Sequence, residues 1–108
     1  MNLKNIFLLG DIGLLNYNFS RIINHISLNI QKDDIIVLLG DNFYPNGLKN
    51  NNDYQIDSFK EIFNNIHNPI YSILGNHDYL QNPNAQINNT NWIMPNFYYK
   101  KEFDNVLL

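Results

Sequence analysis

At 108 residues, with 44% hydrophobic and 14% aromatic positions, the chain has enough apolar side chain for one folded domain and no length for a second. Its formal net charge of −3, with no Lys/Arg cluster beyond Lys100-Lys101, argues against a nucleic-acid partner. With no cysteine it needs no disulfide and cannot hold zinc or iron through thiolates, which leaves His, Asp, Asn and Tyr as its available metal ligands.

Asn5 to Leu9 reads as a first strand that leaves through Gly10-Asp11-Ile12-Gly13, whose glycines allow a tight bend around whatever Asp11 binds. Phe19, Ile22, Ile23, Ile26 and Ile30 then recur at helical spacing, which predicts a crossover helix and a next strand parallel to the first. His25 lies on that helix beside the apolar stripe and reads as a surface or boundary residue. Ile35 to Leu39 is an unbroken aliphatic run between Asp33-Asp34 and Gly40, the pattern of an inner strand covered on both faces. Asp41 comes just past its carboxyl end, the edge at which open α/β sheets bind ligands, and Tyr44 three residues later. Pro45-Asn46-Gly47 reads as a turn, and Leu48 to Asn52 as an exposed loop.

A second helix is predicted from Ile56, Phe59, Ile62, Phe63 and Ile66, with Asp53 or Asp57 as its cap and His67 at its end, where a cation complements the helix dipole. Pro69 launches a third strand, Ile70 to Leu74, which runs into Gly75-Asn76-His77-Asp78. Beyond it the pattern predicts a helical segment from Asn84 to Asn91, an aromatic strand from Phe97 to Phe103, a turn at Asp104-Asn105, and the opening of another strand at Val106-Leu107-Leu108. No secretory signal and no apolar run of membrane-spanning length is visible, so the chain as written is expected to be cytoplasmic and without a membrane partner.

Three apolar strands therefore each deliver polar side chains through a glycine to one sheet edge, with 30 and 35 residues separating Asp11, Asp41 and Asn76. Any one of these turns could simply be a carboxylate bonding backbone amides; together they are the footprint of a metal site. Asp11, Asp41, Tyr44 and Asn76 offer four oxygen ligands of differing charge. One carboxylate can bridge two cations about 3.5–4 Å apart. A phenolate suits a trivalent cation and a neutral amide a divalent one.

In this order and spacing, Gly10-Asp11, Gly40-Asp41-Asn42-Phe43-Tyr44 and Gly75-Asn76-His77-Asp78 resemble the first three signature blocks of the calcineurin-like metallophosphoesterases. The tyrosine narrows the resemblance to the purple acid phosphatase branch. Asn84-Ala85-Gln86-Ile87, Trp92 and Pro95-Asn96-Phe97-Tyr98-Tyr99 are similar to the segment after the third block in its small, tartrate-resistant type. The resemblance implies an α/β fold, the parallel βαβαβ portion of a metallophosphoesterase αββα sandwich, with residues 1–108 as the N-terminal half of a single domain. It implies a phosphomonoester substrate attacked by a metal-bound hydroxide at a binuclear centre of Fe(III) and a divalent Fe, Zn or Mn ion. Asp11 and Tyr44 would bind the ferric ion, Asp41 would bridge, and Asn76 would bind the divalent ion. His77 would hydrogen-bond the phosphate and stabilise or protonate the leaving oxygen, with Asp78 orienting its ring, a role that suits an imidazole titrating near neutrality beside cations.

The same resemblance implies three further histidine ligands, one alone and two in a Gly-His-x-His run, and these have no counterpart here. His25 and His67 precede the third block and sit on or beside helices. The chain is accordingly read as truncated before the C-terminal half, to be completed in a longer polypeptide, in a homo-oligomer or by that half in trans. The alternative is a short, non-catalytic remnant that binds or dimerises. A nucleotide-binding reading of Ile35 to Asp41 lacks the Gly-x-x-x-x-Gly-Lys-Ser/Thr loop it would need.

Overall fold

The computed structural model describes residues 2–108. Short aliphatic runs form β1 (Ile6–Leu9), β2 (Ile35–Leu38) and β3 (Ile70–Ser72), and they lie in the order β1-β2-β3 with both pairings parallel. Between them run α1 (Tyr17–Asn29) and α2 (Tyr54–Ile62). Both crossovers step the same way across the sheet, so connections of one hand place both helices on one face. Phe19, Ile23 and Ile26 of α1 and Ile56 and Phe59 of α2 indeed share a core with Ile36, Leu38 and Ile70.

The helix starts are set by side-chain chemistry. Asn16 accepts a hydrogen bond from the Phe19 amide at 3.1 Å, and Asp53 accepts one from the Gln55 amide at 3.0 Å, each satisfying a donor that the first helical turn leaves open. An aromatic cluster closes the helical layer: Phe59 stacks on Phe63 at 4.4 Å between ring centres and meets Trp92 edge-on at 4.9 Å. Rings buried to this degree each contribute about 2–3 kcal/mol from water exclusion alone.

The opposite face carries the alternate side chains, Ile6, Ile35, Val37 and Tyr71, under Leu3, Tyr99, Phe103 and Val106. Its cover is partial, since Leu8 is 61% and Ile73 41% exposed. β2 is the inner strand that its unbroken apolar run implied, with Ile35, Ile36 and Leu38 all buried. No helix among the described residues is long and apolar enough to cross a membrane.

Four expectations change. α2 stops at Ile62 with Phe63 as its cap, so His67 lies beyond the helix rather than in its last turn. The segment after Asn82 forms one 3-10 turn, Pro83–Gln86, in place of a helix to Asn91. Among the described residues Phe97 to Phe103 joins no ladder, and Glu102 forms an isolated bridge with Leu107. The last residues fold back on it, with Lys101 and Leu108 exchanging backbone hydrogen bonds of 3.0 and 2.9 Å around the expected Asp104-Asn105 turn. The Asn105 amide then accepts from Leu3 N and donates to Leu3 O, 2.9 Å each, and so pins this hairpin beside β1.

Candidate metal centre

Backbone pairing continues past the strands into the three turns. Leu39 N donates to Leu9 O at 2.8 Å, Asp11 N to Gly40 O at 3.1 Å, and Ile73 N to Leu38 O at 3.2 Å. The turns after β1, β2 and β3 are therefore laid side by side at one edge. Asp11 and Asp41 both hold positive φ, 56° and 54°, a conformation that costs an L residue roughly 1–3 kcal/mol and collects at functional sites. The sequence pattern assigned the bending to Gly10 and Gly13; the aspartates themselves take it.

Two glycines set how close the second and third turns come. Gly40 sits at φ 102°, and a Cβ there would meet Gly75 N at 2.7 Å. A Cβ on Gly75 would run into the Asp41 carboxylate and amide. Because neither exists, the His77 amide reaches Asp41 Oδ1 and donates to it at 3.0 Å.

The other oxygen of Asp41 faces a phenol. Tyr44 Oη lies 3.4 Å from Asp41 Oδ2 and 3.2 Å from Asp11 Oδ1. Tyr44 is held there by its own amide, which donates to Gly13 O at 3.0 Å and ties the first turn to the second. Removal from water and the two neighbouring carboxylates push the phenol up to about 12, from an ordinary 10.0. One proton is thus shared among three hard oxygens from two turns, a donor set whose chemistry fits a cation in that proton's place. Among the described residues no three His, Cys, Asp or Glu side chains group closely enough to hold a metal, so Tyr44 is needed to complete any such set.

The His77 ring meets the Tyr44 ring edge-on, 4.9 Å between centres at 80°. Its Nδ1 is 2.7 Å from Pro45 O. A carbonyl only accepts, so Nδ1 donates and Nε2 is the nitrogen left for chemistry. Asn76 opens the 3-10 turn His77–Tyr79, without a side-chain capping bond. Asp11, Asp41, Tyr44 and His77 are thereby brought together, with Asn76 on the adjoining backbone.

Asp78 is not part of this group. Its carboxylate, expected to orient His77, is fully buried and accepts from the amides of Asn42, Phe43 and Gly75 and from Gln86 Nε2. The orienting acceptor for His77 is the Pro45 carbonyl instead. Sequence reading also missed Asn42, Ser72 and Gln86, buried polar residues around Asp78. The pattern held one hint of them, the family likeness of the Asn84-Ala85-Gln86-Ile87 segment.

The sequence pattern of the calcineurin-like phosphoesterase family matches residues 4–108, nearly the whole chain. The chain belongs to that family. It is 36% identical over 85 residues to tartrate-resistant acid phosphatase type 5 of Rattus norvegicus, a match that covers 71% of this chain and 26% of that protein. It is 38% identical over 85 residues to purple acid phosphatase 7 of Arabidopsis thaliana, covering 73% of this chain and 26% of that protein. For purple acid phosphatase 3 of the same plant the figures are 40% over 86 residues, 73% and 23%. This calcineurin-like phosphoesterase chain therefore spans about a quarter of the length of the curated relatives it matches. Its family hydrolyses phosphoesters and works with metal ions in general.

Proposed function

We propose that this chain supplies the first ligands of an acid-phosphatase-type phosphomonoesterase with a binuclear metal centre. The observation that carries the reading is the Tyr44 phenol set between the Asp11 and Asp41 carboxylates at 3.2 and 3.4 Å. A hard anionic phenolate between two carboxylates suits Fe(III), to be held by Asp11, Tyr44 and Asp41. Asp41 turns its second oxygen toward the turn that bears Asn76, which supports Asp41 as the ligand common to both ions and Asn76 as a ligand of a divalent Fe, Zn or Mn. Bound there, such ions would draw charge from the phosphate oxygens and acidify water.

The chain's own groups do the rest. The absence of a Cβ at Gly40 and Gly75 lets Asn76 and His77 come up against Asp41. The Pro45 carbonyl fixes the His77 ring through its Nδ1–H, so that in the imidazolium form the second proton, on Nε2, is the one to hydrogen-bond a phosphate oxygen and pass to the leaving alkoxide, which leaves the neutral imidazole. Turnover calls for the further ligands that the resemblance assigns to the family's C-terminal half, from the same polypeptide or in trans.

The test is a ferric titration of the purified chain, monitored by visible absorbance. A phenolate-to-iron charge-transfer band is expected in the wild type and none in Tyr44→Phe. Metal uptake without a band would remove the purple subtype, and a wild-type chain that takes up no metal would overturn the reading altogether.

A further inference from the structure

The turns after β2 and β3 touch at the Gly40 and Gly75 backbones, a contact that limits how near they come but does not hold them there. What holds them is polar and buried. The Asp78 carboxylate accepts from Asn42 N at 3.1 Å, Phe43 N at 3.2 Å and Gly75 N at 2.9 Å, donors drawn from both turns. An anion shut away from water is stable only when such donors surround it.

Two side-chain amides complete the enclosure. Asn42 Nδ2 lies 2.9 Å from Ser72 Oγ, 2.9 Å from Ile73 O and 3.2 Å from Gln86 Oε1, reaching from the second turn onto the end of β3. Gln86, with no exposed surface, donates from Nε2 to Asp78 Oδ1 at 3.1 Å while its oxygen accepts from Asn42. Its amide is therefore fixed at both ends, and neither end can flip without setting donor against donor or acceptor against acceptor. Its backbone oxygen accepts from the buried Trp92 Nε1 at 2.8 Å, which anchors it to the aromatic core.

We propose that Gln86 is a positioning residue: by joining Asp78 to Asn42 it fixes the spacing of the second and third turns, and so holds the His77 amide on Asp41 Oδ1. The inference rests on the reading that these two turns carry the phosphoesterase site. Gln86 touches none of the groups assigned there and acts only through Asp78 and Asn42. It also gives the first 3-10 turn after the third block a task for the site, beyond filling space behind it.

The test is amide hydrogen exchange in the whole 108-residue chain, wild type against Gln86→Met, which keeps the volume and removes both hydrogen bonds. The His77, Asn42 and Gly75 amides are expected to exchange faster by about tenfold or more. The Ile36 amide, which donates to Pro69 O in the sheet, should stay as it is. Uniform acceleration of every amide, or an unchanged His77 amide, would overturn the proposal. Should Gln86→Met fail to fold, Ser72→Ala removes a single acceptor of Asn42 and is read by the same contrast between His77 and Ile36. Exchange needs no metal, so a chain that shows the contrast yet takes up no ferric ion would refute the functional reading and leave the positioning role in place.

Discussion

Two groups of carboxylates in this fold have opposite surroundings. Asp78 has no exposed surface and meets three backbone amides and one side-chain amide, so its buried charge is matched by four donors. Asp11 and Asp41 sit half-exposed or exposed at strained backbone positions, sharing one phenolic proton with Tyr44. The first arrangement is complete within the protein. The second is incomplete, and a cation is what we propose to complete it. An acidic residue beside a histidine in sequence is thus poor evidence of a catalytic pair; what already satisfies its oxygens decides its role.

The sharpest way to break that contrast is Asp78→Ala. It leaves three buried amides and Gln86 Nε2 without their acceptor, and should lower stability by roughly 3–5 kcal/mol, much of what a domain of this size possesses. Urea denaturation checks it, and a loss under about 1 kcal/mol would mean that the buried carboxylate is not structural. Gly75→Ala comes next. Its Cβ must displace the Asp41 carboxylate or part the two turns, at about 1–3 kcal/mol, with loss of the hydrogen bond from His77 N to Asp41. Proton NMR of that amide separates this local opening from a general loss of fold.

Asp41→Asn should do the reverse of Asp78→Ala. It removes one of two charges crowding Tyr44, and asparagine accepts positive φ, so stability should stay within about 0.5 kcal/mol of wild type or rise. Mn(II) uptake, measured by calorimetry, should be lost. Retention of wild-type uptake would remove Asp41 from the metal set, whereas a large stability loss would place it with Asp78 among the structural carboxylates.

Those differences also explain what could be read from the sequence. β1, β2 and β3 were legible because apolar runs end at a glycine followed by an aspartate or, after β3, an asparagine, and the parallel direction comes from the crossover helices. That Asp11, Asp41 and Tyr44 would lie together was legible for the same reason: parallel pairing puts consecutive strand ends at one edge. The role of Asp78 was not. In a 3-10 turn successive side chains point about 120° apart, so His77 faces outward while Asp78, its neighbour, faces the core. Beyond Asn82 the chain is held by bonds without a period, among them Asn105 to Leu3, Trp92 Nε1 to Gln86 O and Tyr99 Oη to Ser72 O at 2.7 Å. Hydrophobic spacing carries no trace of such contacts, which is why a helix and a strand were expected where the chain forms one short turn and a hairpin.

The smallest expected effect is a titration. Tyr44 is held at about 12, against 10.0 for an ordinary tyrosine, by removal from water and by Asp11 and Asp41. Its folded value lies above its unfolded one, so its contribution to stability is whole below pH 10 and is lost as pH rises through 12, where the unfolded chain ionises first. Tyr44→Phe should therefore flatten the fall in stability across that window, and the difference in tyrosinate absorbance between wild type and this variant should isolate a late-ionising phenol, since the phenols of Tyr71 and Tyr99, which burial also pushes up, are present in both. In Asp11→Asn that late phenol should move back toward its ordinary value but not reach it, because Asp41 and burial remain. Should the phenol isolated by that difference titrate at the ordinary 10.0, the carboxylates do not press on it, and the contrast between an incomplete cluster and a complete one would lose its first member.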